Sequence, residues 1–219
     1  MKSATQDSRT RLAGIVPAAV AVAETDGDLP GVLLPKEEEL LARTVDKRRR
    51  EFTTGRQCAR NALGQLGVSP APILQGPKGE PLWPPAIVGS LTHCVDYRAA
   101  AVAQAADVIT LGIDAEPHEP LPEGILDLIA SSREIAHIAE LGSGCAWGRL
   151  LFSAKEAIYK AWFPLAQRWL GFEDVIVTFD PTATGFLAEL NVPGPIDRFK
   201  GRYLATETHL LTAIVVTAD

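Results

Sequence analysis

The chain has 219 residues, 47% hydrophobic and 22% charged. That supports a sizeable core and excludes disorder, fibres and a disulfide-stapled mini-protein as accounts of the whole. Lys and Arg number 21 against 27 Asp and Glu, a formal net charge of −6, which argues against a general nucleic-acid or polyanion binder and requires any nucleotide ligand to meet local cations.

Residues 1–11 are polar. The apolar run 12–23 follows Lys2, Arg9 and Arg11 in the order of a signal peptide, but Pro17 interrupts it and Ala-Glu-Thr-Asp follows, so a leader is disfavoured. No stretch approaches the ~20 apolar residues that span a bilayer, and no membrane association is expected. Residues 27–35 read as a loop into a helix over 36–43. Asp46 suits the N-cap of a long helix from 47 to 66, which Gly67 ends. The segment 75–85, QGPKGEPLWPP, holds two glycines and four prolines, a density that predicts an ordered loop. Strands are expected over 87–92, 99–104 and 108–116. The second half gives helices over 122–130, 132–141 and 146–167, then strands over 175–179, 185–190, 198–205 and 209–217. Each half is a long helix followed by strands, which predicts an α+β fold with pseudo-symmetry about residue 110. No low-complexity linker separates the halves, so they are expected to pack together.

Cys58, Cys94 and Cys145 are an odd number without a C-x-x-C pair, against a disulfide framework or cysteine zinc site and in favour of a reducing, cytoplasmic setting. His118, His137 and His209 lack an H-E-x-x-H partner, no G-x-S-x-G or Walker sequence occurs, and Gly142-Ser143-Gly144 is too short for a dinucleotide loop.

Four constellations remain. In TLGIDAEP, alternation puts Leu111, Ile113 and Ala115 on one strand face and Gly112, Asp114 and Glu116 on the other. Two carboxylates on one face suit a hard cation, but so short a pattern taken alone reads more readily as an ordinary solvent-facing strand. In WGRLLFSAKEAIYKAW, Trp147, Leu150, Leu151, Ala154, Ile158, Ala161 and Trp162 form an apolar stripe, opposite Arg149, Ser153, Glu156 and Lys160. Alone, that polar face reads as a solvated surface with a Glu156–Lys160 pair. Combined with Asp114 and Glu116, it reads as an all-oxygen Mg²⁺ site beside the cations Lys155 and Lys160. Ser90, Thr92 and His93 end a strand and suit a phosphate, although a lone histidine is commonly structural. Arg48, Phe52, Arg56 and Arg60 lie four residues apart on one ridge of the KRRREFTTGRQCAR helix, a pattern shared by solvated charge runs.

These stretches, with GPKGEPLWP and RWLGFEDV, together resemble the 4′-phosphopantetheinyl transferases of the Sfp/EntD type. D-x-E followed about 40 residues later by W-x-x-L-x-F-S-x-K-E-x-x-x-K is the specific part of the match. The resemblance implies an enzyme that moves 4′-phosphopantetheine from coenzyme A to a serine of an apo acyl or peptidyl carrier protein, leaving adenosine 3′,5′-bisphosphate. It implies a pseudo-twofold α+β fold of two similar helix-plus-antiparallel-sheet halves. Residues 1–109 would form the coenzyme's 3′-phosphate and adenine side, and 110–219 the half with the metal and catalytic helix. Asp114, Glu116 and Glu156 correspond to Mg²⁺ ligands, with Mn²⁺ a substitute, and Glu156 and Lys160 to the catalytic pair. Lys155 and Lys160 correspond to lysines near the pyrophosphate, Ser90, Thr92 and His93 to the motif near the 3′-phosphate, and Arg48 and Arg56 to early basic positions, with Lys78 a looser match. A glycine is expected where Asp96 stands, which puts the turn after His93 in question. The family further implies a cytoplasmic monomer; secondary metabolism, such as siderophore or polyketide biosynthesis, is one setting, and the motifs leave fatty-acid and nonribosomal-peptide carriers open. Its acidic carriers would dock on a local patch to which Arg48, Arg49 and Arg50 could contribute. The alternative is a non-catalytic module that binds coenzyme A or a carrier, against which the joint presence of Asp114, Glu116, Glu156 and Lys160 counts.

Overall fold

The computed structural model describes residues 11–41 and 45–218. Strand β1 (Ala21–Asp26), preceded by a 3₁₀ turn at Leu12–Gly14, occupies the run that resembled a leader, and Leu12 and Val20 are buried. The sequence pattern did not announce this strand. Helix α1 (Pro35–Glu39) is shorter than the expected 36–43, whose last positions lie outside the described residues. Helix α2 (Asp46–Gln65) has Val45 at its N-cap and no side-chain cap. Asp46 is therefore the first helical residue and not the cap, its charge favourable in the first turn. The expected loop contains a two-residue hairpin, β2 (Leu74–Gln75) with β3 (Pro81–Leu82).

Strands β4 (Ile87–Cys94) and β5 (Tyr97–Gln104) form a hairpin that β1 extends, giving the order β1-β5-β4. Cys58, Ala59, Ala62 and Leu63 of α2 pack on this sheet with Ala100 and Val102. Small residues on both sides let helix and sheet approach closely. Asp96, in the tight turn after His93, sits at φ +54°, a conformation glycine adopts freely and aspartate tolerates. Cys94 still pairs with Tyr97 across the turn without the expected glycine, and the Asp96 carbonyl accepts from Gly27 N at 2.9 Å.

Strand β6 (Val108–Pro117) begins the second sheet, of order β6-β10-β9-β8-β7, with β7 (Val175–Asp180), β8 (Gly185–Leu190), β9 (Arg198–Ala205) and β10 (His209–Thr217). Helix α3 (Ile125–Ile129) and helix α4 (Ser132–Glu140) precede α5 (Trp147–Ala166), and Ser131 with Glu134 forms a capping box on α4. The stripe Leu150, Leu151, Ala154, Ile158, Ala161 and Trp162 is fully buried on the sheet. Ser153, which periodicity put on the polar side, is also buried, in a hydrogen bond with Thr212 at 2.9 Å. Each half is thus a long helix on an antiparallel sheet, the pseudo-twofold α+β fold. No helix among the described residues is long and apolar enough to cross a membrane.

The halves meet where β4 lies beside β6. Ile113 N donates to Ser90 Oγ at 3.1 Å and Thr92 Oγ1 donates to Asp114 Oδ1 at 3.2 Å. On the face of β6 that carries Asp114, a Cβ at Gly112 would collide with the Ala157 carbonyl oxygen and lie 2.8 Å from Ala161 N. Gly112 therefore lets the α5 backbone rest directly on β6. Gly112→Ala is expected to cost about 1–3 kcal/mol in urea denaturation, because both colliding groups are backbone. Gly64→Ala, with nothing within 4 Å, should leave stability unchanged or raise it by up to about 1 kcal/mol. Equal stability of the two variants would contradict this packing.

Candidate active site between the two halves

A cleft of about 620 Å³ opens between α2, the β2–β3 hairpin, β4 and α5, within the usual size of small-molecule sites. Arg48, Arg56, Lys78, Ser90, Thr92, His93, Glu156 and Lys160 all line it. Asp114 reaches it through Lys160 and Thr92, Glu116 lies further along β6, and Lys155 does not join them.

At the α2 end the cleft is cationic. Arg56 is buried, its Nε donates to the Ile73 carbonyl at 2.7 Å, and its guanidinium lies 4.1 Å over the Phe52 ring. Burial pushes its pKa down to about 10, still charged at neutral pH. Among the described residues no carboxylate lies within 4 Å of it. A buried cation with no carboxylate in contact among the described residues suits an external anion. Its mount was invisible in the sequence: buried Glu37 accepts from Ile73 N at 2.9 Å and takes Arg60 NH1 at 2.9 Å, fixing the carbonyl that holds Arg56. Arg60, expected on the same ridge, is thus spent on Glu37. Arg48 NH1 lies 3.2 Å from His93 Nε2, and burial holds His93 below its usual pKa while Glu51 opposes. His93 is therefore neutral at pH 7, its Nε2 accepting from Arg48.

At the α5 end acids gather. Lys160 Nζ donates to Asp114 Oδ1 at 2.6 Å and to the Ile113 carbonyl at 3.2 Å. The Glu156–Lys160 surface pair offered by the sequence does not form, since Lys160 turns to β6. Asp114 Oδ2 is buried without a partner. Glu116 takes Arg149 NH1 at 3.0 Å, a contact only the tertiary structure reveals. Burial raises the pKa of Glu116, with Asp114 adding and Arg149 opposing. Burial likewise raises Glu156, with Lys160 opposing and Asp114 adding. Among the described residues no three His, Cys, Asp or Glu side chains stand close enough to hold a metal alone. Asp114, Glu116 and Glu156 are therefore not a preassembled ligand set, because Lys160 and Arg149 engage the first two.

Lys155 corrects the expectation most sharply. Its Nζ is buried and donates to Glu134 at 3.0 Å and to the carbonyls of Ile129, Phe172 and Val175. It ties α5 to the α4 cap and to β7, away from the cleft.

A two-helix cleft with cations at one end and acids at the other has the charge distribution that suits a phosphorylated ligand. Residues 36–103 match the 4′-phosphopantetheinyl transferase N-terminal domain, and residues 110–212 match the 4′-phosphopantetheinyl transferase superfamily. The 4′-phosphopantetheinyl transferase PptT of Mycobacterium tuberculosis is 49% identical over 223 residues, 94% of this chain and 98% of its own. The 4′-phosphopantetheinyl transferase Svp of Streptomyces mobaraensis is 47% identical over 207 residues, covering 90% and 84%. Enterobactin synthase component D of Salmonella typhi is 34% identical over 121 residues, 52% and 48% of the two chains. The chain belongs to the 4′-phosphopantetheinyl transferase family, whose members transfer phosphopantetheine from coenzyme A to a carrier-protein serine.

Two expectations follow. Lys155→Met should destabilise by about 3–5 kcal/mol, because Glu134 is left buried and unpaired, while the folded fraction binds coenzyme A normally by calorimetry. Selective loss of coenzyme affinity at unchanged stability would return Lys155 to the cleft. Secondly, a raised carboxyl pKa means that the folded chain binds the Glu156 proton more tightly than the unfolded chain. The ionised group costs stability above its folded pKa and nothing below the ordinary value of 4.5. Without divalent cations, Glu156→Gln should raise Tm at pH 7, and the gain should vanish as pH falls below 4.5. A lower Tm for Glu156→Gln at pH 7 would contradict this.

Proposed function

We propose that the chain is a Mg²⁺-dependent 4′-phosphopantetheinyl transferase that loads an apo acyl or peptidyl carrier protein. The observation that supports this reading is one cleft with buried Arg56, which has no carboxylate within 4 Å among the described residues, at one end and the acid-linked Lys160 at the other. Arg48, Arg56 and His93 would hold the coenzyme's 3′-phosphate, with Ser90 and Thr92 at the floor and Lys78 at the rim. Lys160 would neutralise the pyrophosphate. The name of the enterobactin synthase relative favours a carrier in siderophore or related secondary metabolism.

The residues present fit a hard divalent cation. All donors are oxygens, Asp114 Oδ2 is buried and unpartnered, and burial beside Asp114 disfavours the ionised forms of Glu116 and Glu156, which a cation would relieve. Mg²⁺ is commonly held by one or two carboxylates plus substrate phosphates, so a preassembled triad is unnecessary. Asp114 and Glu156 would hold it, with Glu116 direct or through water. When bound, the cation would withdraw charge from the bridging pyrophosphate.

The chain's own residues supply the rest. Lys160, locked by Asp114 and the Ile113 carbonyl, stabilises charge as the bond to the bisphosphate leaving group breaks in line with serine attack. Glu156 makes no hydrogen bond among the described residues, and its raised pKa suits a proton acceptor, so its carboxylate takes the serine proton directly or through water. The phosphate subsites orient the coenzyme, converting a bimolecular encounter into a positioned one.

Intact-mass analysis of an apo carrier after incubation with coenzyme A and Mg²⁺ is expected to record the phosphopantetheine gain, lost in excess chelator. In single-turnover transfer, Glu156→Gln should lower the rate by about 100-fold or more, with coenzyme affinity near normal and no rescue by added Mg²⁺. Full turnover in chelator would overturn the metal. Near wild-type rates for Glu156→Gln would remove Glu156 from the chemistry.

A further inference from the structure

The cationic end of the cleft contains an acid that its expected role does not require. Glu51 lines the cleft on α2, with its side chain 16% exposed. Its Oε2 lies 3.8 Å from Arg48 NH1 and 3.6 Å from His93 Nε2, while Arg48 NH1 and His93 Nε2 are themselves 3.2 Å apart. Among the described residues Glu51 makes no hydrogen bond to backbone or to any other side chain. Among the described residues its contacts with basic side chains within 4 Å are Arg48 and His93, the two groups read above as phosphate ligands. A carboxylate inside an anion site opposes the anion by like charge and competes for its donors. Such an arrangement suits a stand-in for the ligand, not a structural tie.

We propose that Glu51 is an internal counter-anion of the phosphate subsite, whose carboxylate takes the place beside Arg48 and His93 that a phosphomonoester of the coenzyme takes on binding. Three consequences follow. In the free protein Glu51 partly neutralises Arg48 beside the neutral His93, so that the cation is not left to recruit other anions. On binding, the dianionic phosphate, with more acceptor oxygens than a carboxylate, displaces Glu51 and takes the Arg48 guanidinium from it. Affinity is lowered for every ligand with that phosphate, the bisphosphate product included, so Glu51 favours product departure. The proposal rests on reading this end of the cleft as the coenzyme's 3′-phosphate subsite.

Calorimetric titration of coenzyme A and dephospho-coenzyme A into wild type, Glu51→Gln, Glu51→Ala and Arg48→Ala tests it. Gln keeps the shape of Glu51 and removes its charge. Glu51→Gln is expected to bind coenzyme A about 5-fold tighter, the order of one unit-charge contact near 4 Å in water. Dephospho-coenzyme A should be unchanged, and the gain should shrink in 1 M salt. Glu51→Ala should shift in the same direction. Arg48→Ala should weaken coenzyme A alone. Unchanged or weaker coenzyme A binding by both Glu51 variants, with selective loss in Arg48→Ala, overturns the proposal and keeps the subsite. An equal gain for both ligands in the Glu51 variants also overturns it. Equal losses for both ligands in Arg48→Ala overturn the subsite and the proposal together.

Discussion

Direct contact of the α5 backbone with β6 at Gly112 is the constraint on which the site depends. Any side chain at position 112 would push the helix off the strand. With the helix seated, one turn of α5 brings Lys160 within 2.6 Å of Asp114 and leaves Glu156 facing the cleft. Asp114 in turn receives Thr92 from β4, so the same strand ties the helix of one half to the sheet of the other. The cleft is a by-product of that junction. Its wall on the far side, α2 with Arg56, is set independently by the Glu37–Arg60 pair and the Ile73 carbonyl.

Electrostatics at the two ends follow opposite logic. At the α2 end Arg56 is buried with no carboxylate within 4 Å among the described residues, which suits it to an anion from outside. At the α5 end burial raises Glu116 and Glu156, with Asp114 adding, and one Asp114 oxygen has no hydrogen-bond partner among the described residues. Both ends are costly in the free chain. A ligand that carries phosphates to one end and, with a divalent cation, to the other would relieve both, and this is the physical sense of the proposed coenzyme site.

Much of this was legible in the residues because it depends on local periodicity. The D-x-E strand, the α5 stripe and the ridge bearing Arg48, Phe52 and Arg56 all fall where alternation and four-residue steps put them. Helical geometry also held the correction for Lys155. At 3.6 residues per turn, Glu156 and Lys160 are about 40° apart, whereas Lys155 and Lys160 are about 140° apart and cannot share a cleft. What the residues withheld was tertiary. Strand β1 lies in a short alanine-rich run after Pro17 without clear alternation, and pairs with β5 from far along the chain. Arg149 on Glu116, Glu37 under Arg56 and the four partners of Lys155 link positions about 20 or more residues apart, beyond the reach of any local pattern. Asp96 in a left-handed turn departs from the resemblance at one residue and costs the turn nothing visible, since Cys94 still pairs with Tyr97 across it.

The central claim is that one coenzyme molecule is held by both halves at once. Hydrogen–deuterium exchange with and without coenzyme A and Mg²⁺ tests it most directly. The account predicts slower exchange on binding in two separate segments, the hairpin and following strand over residues 75–93 and the end of α5 over residues 156–167. Protection confined to one of these segments would contradict it.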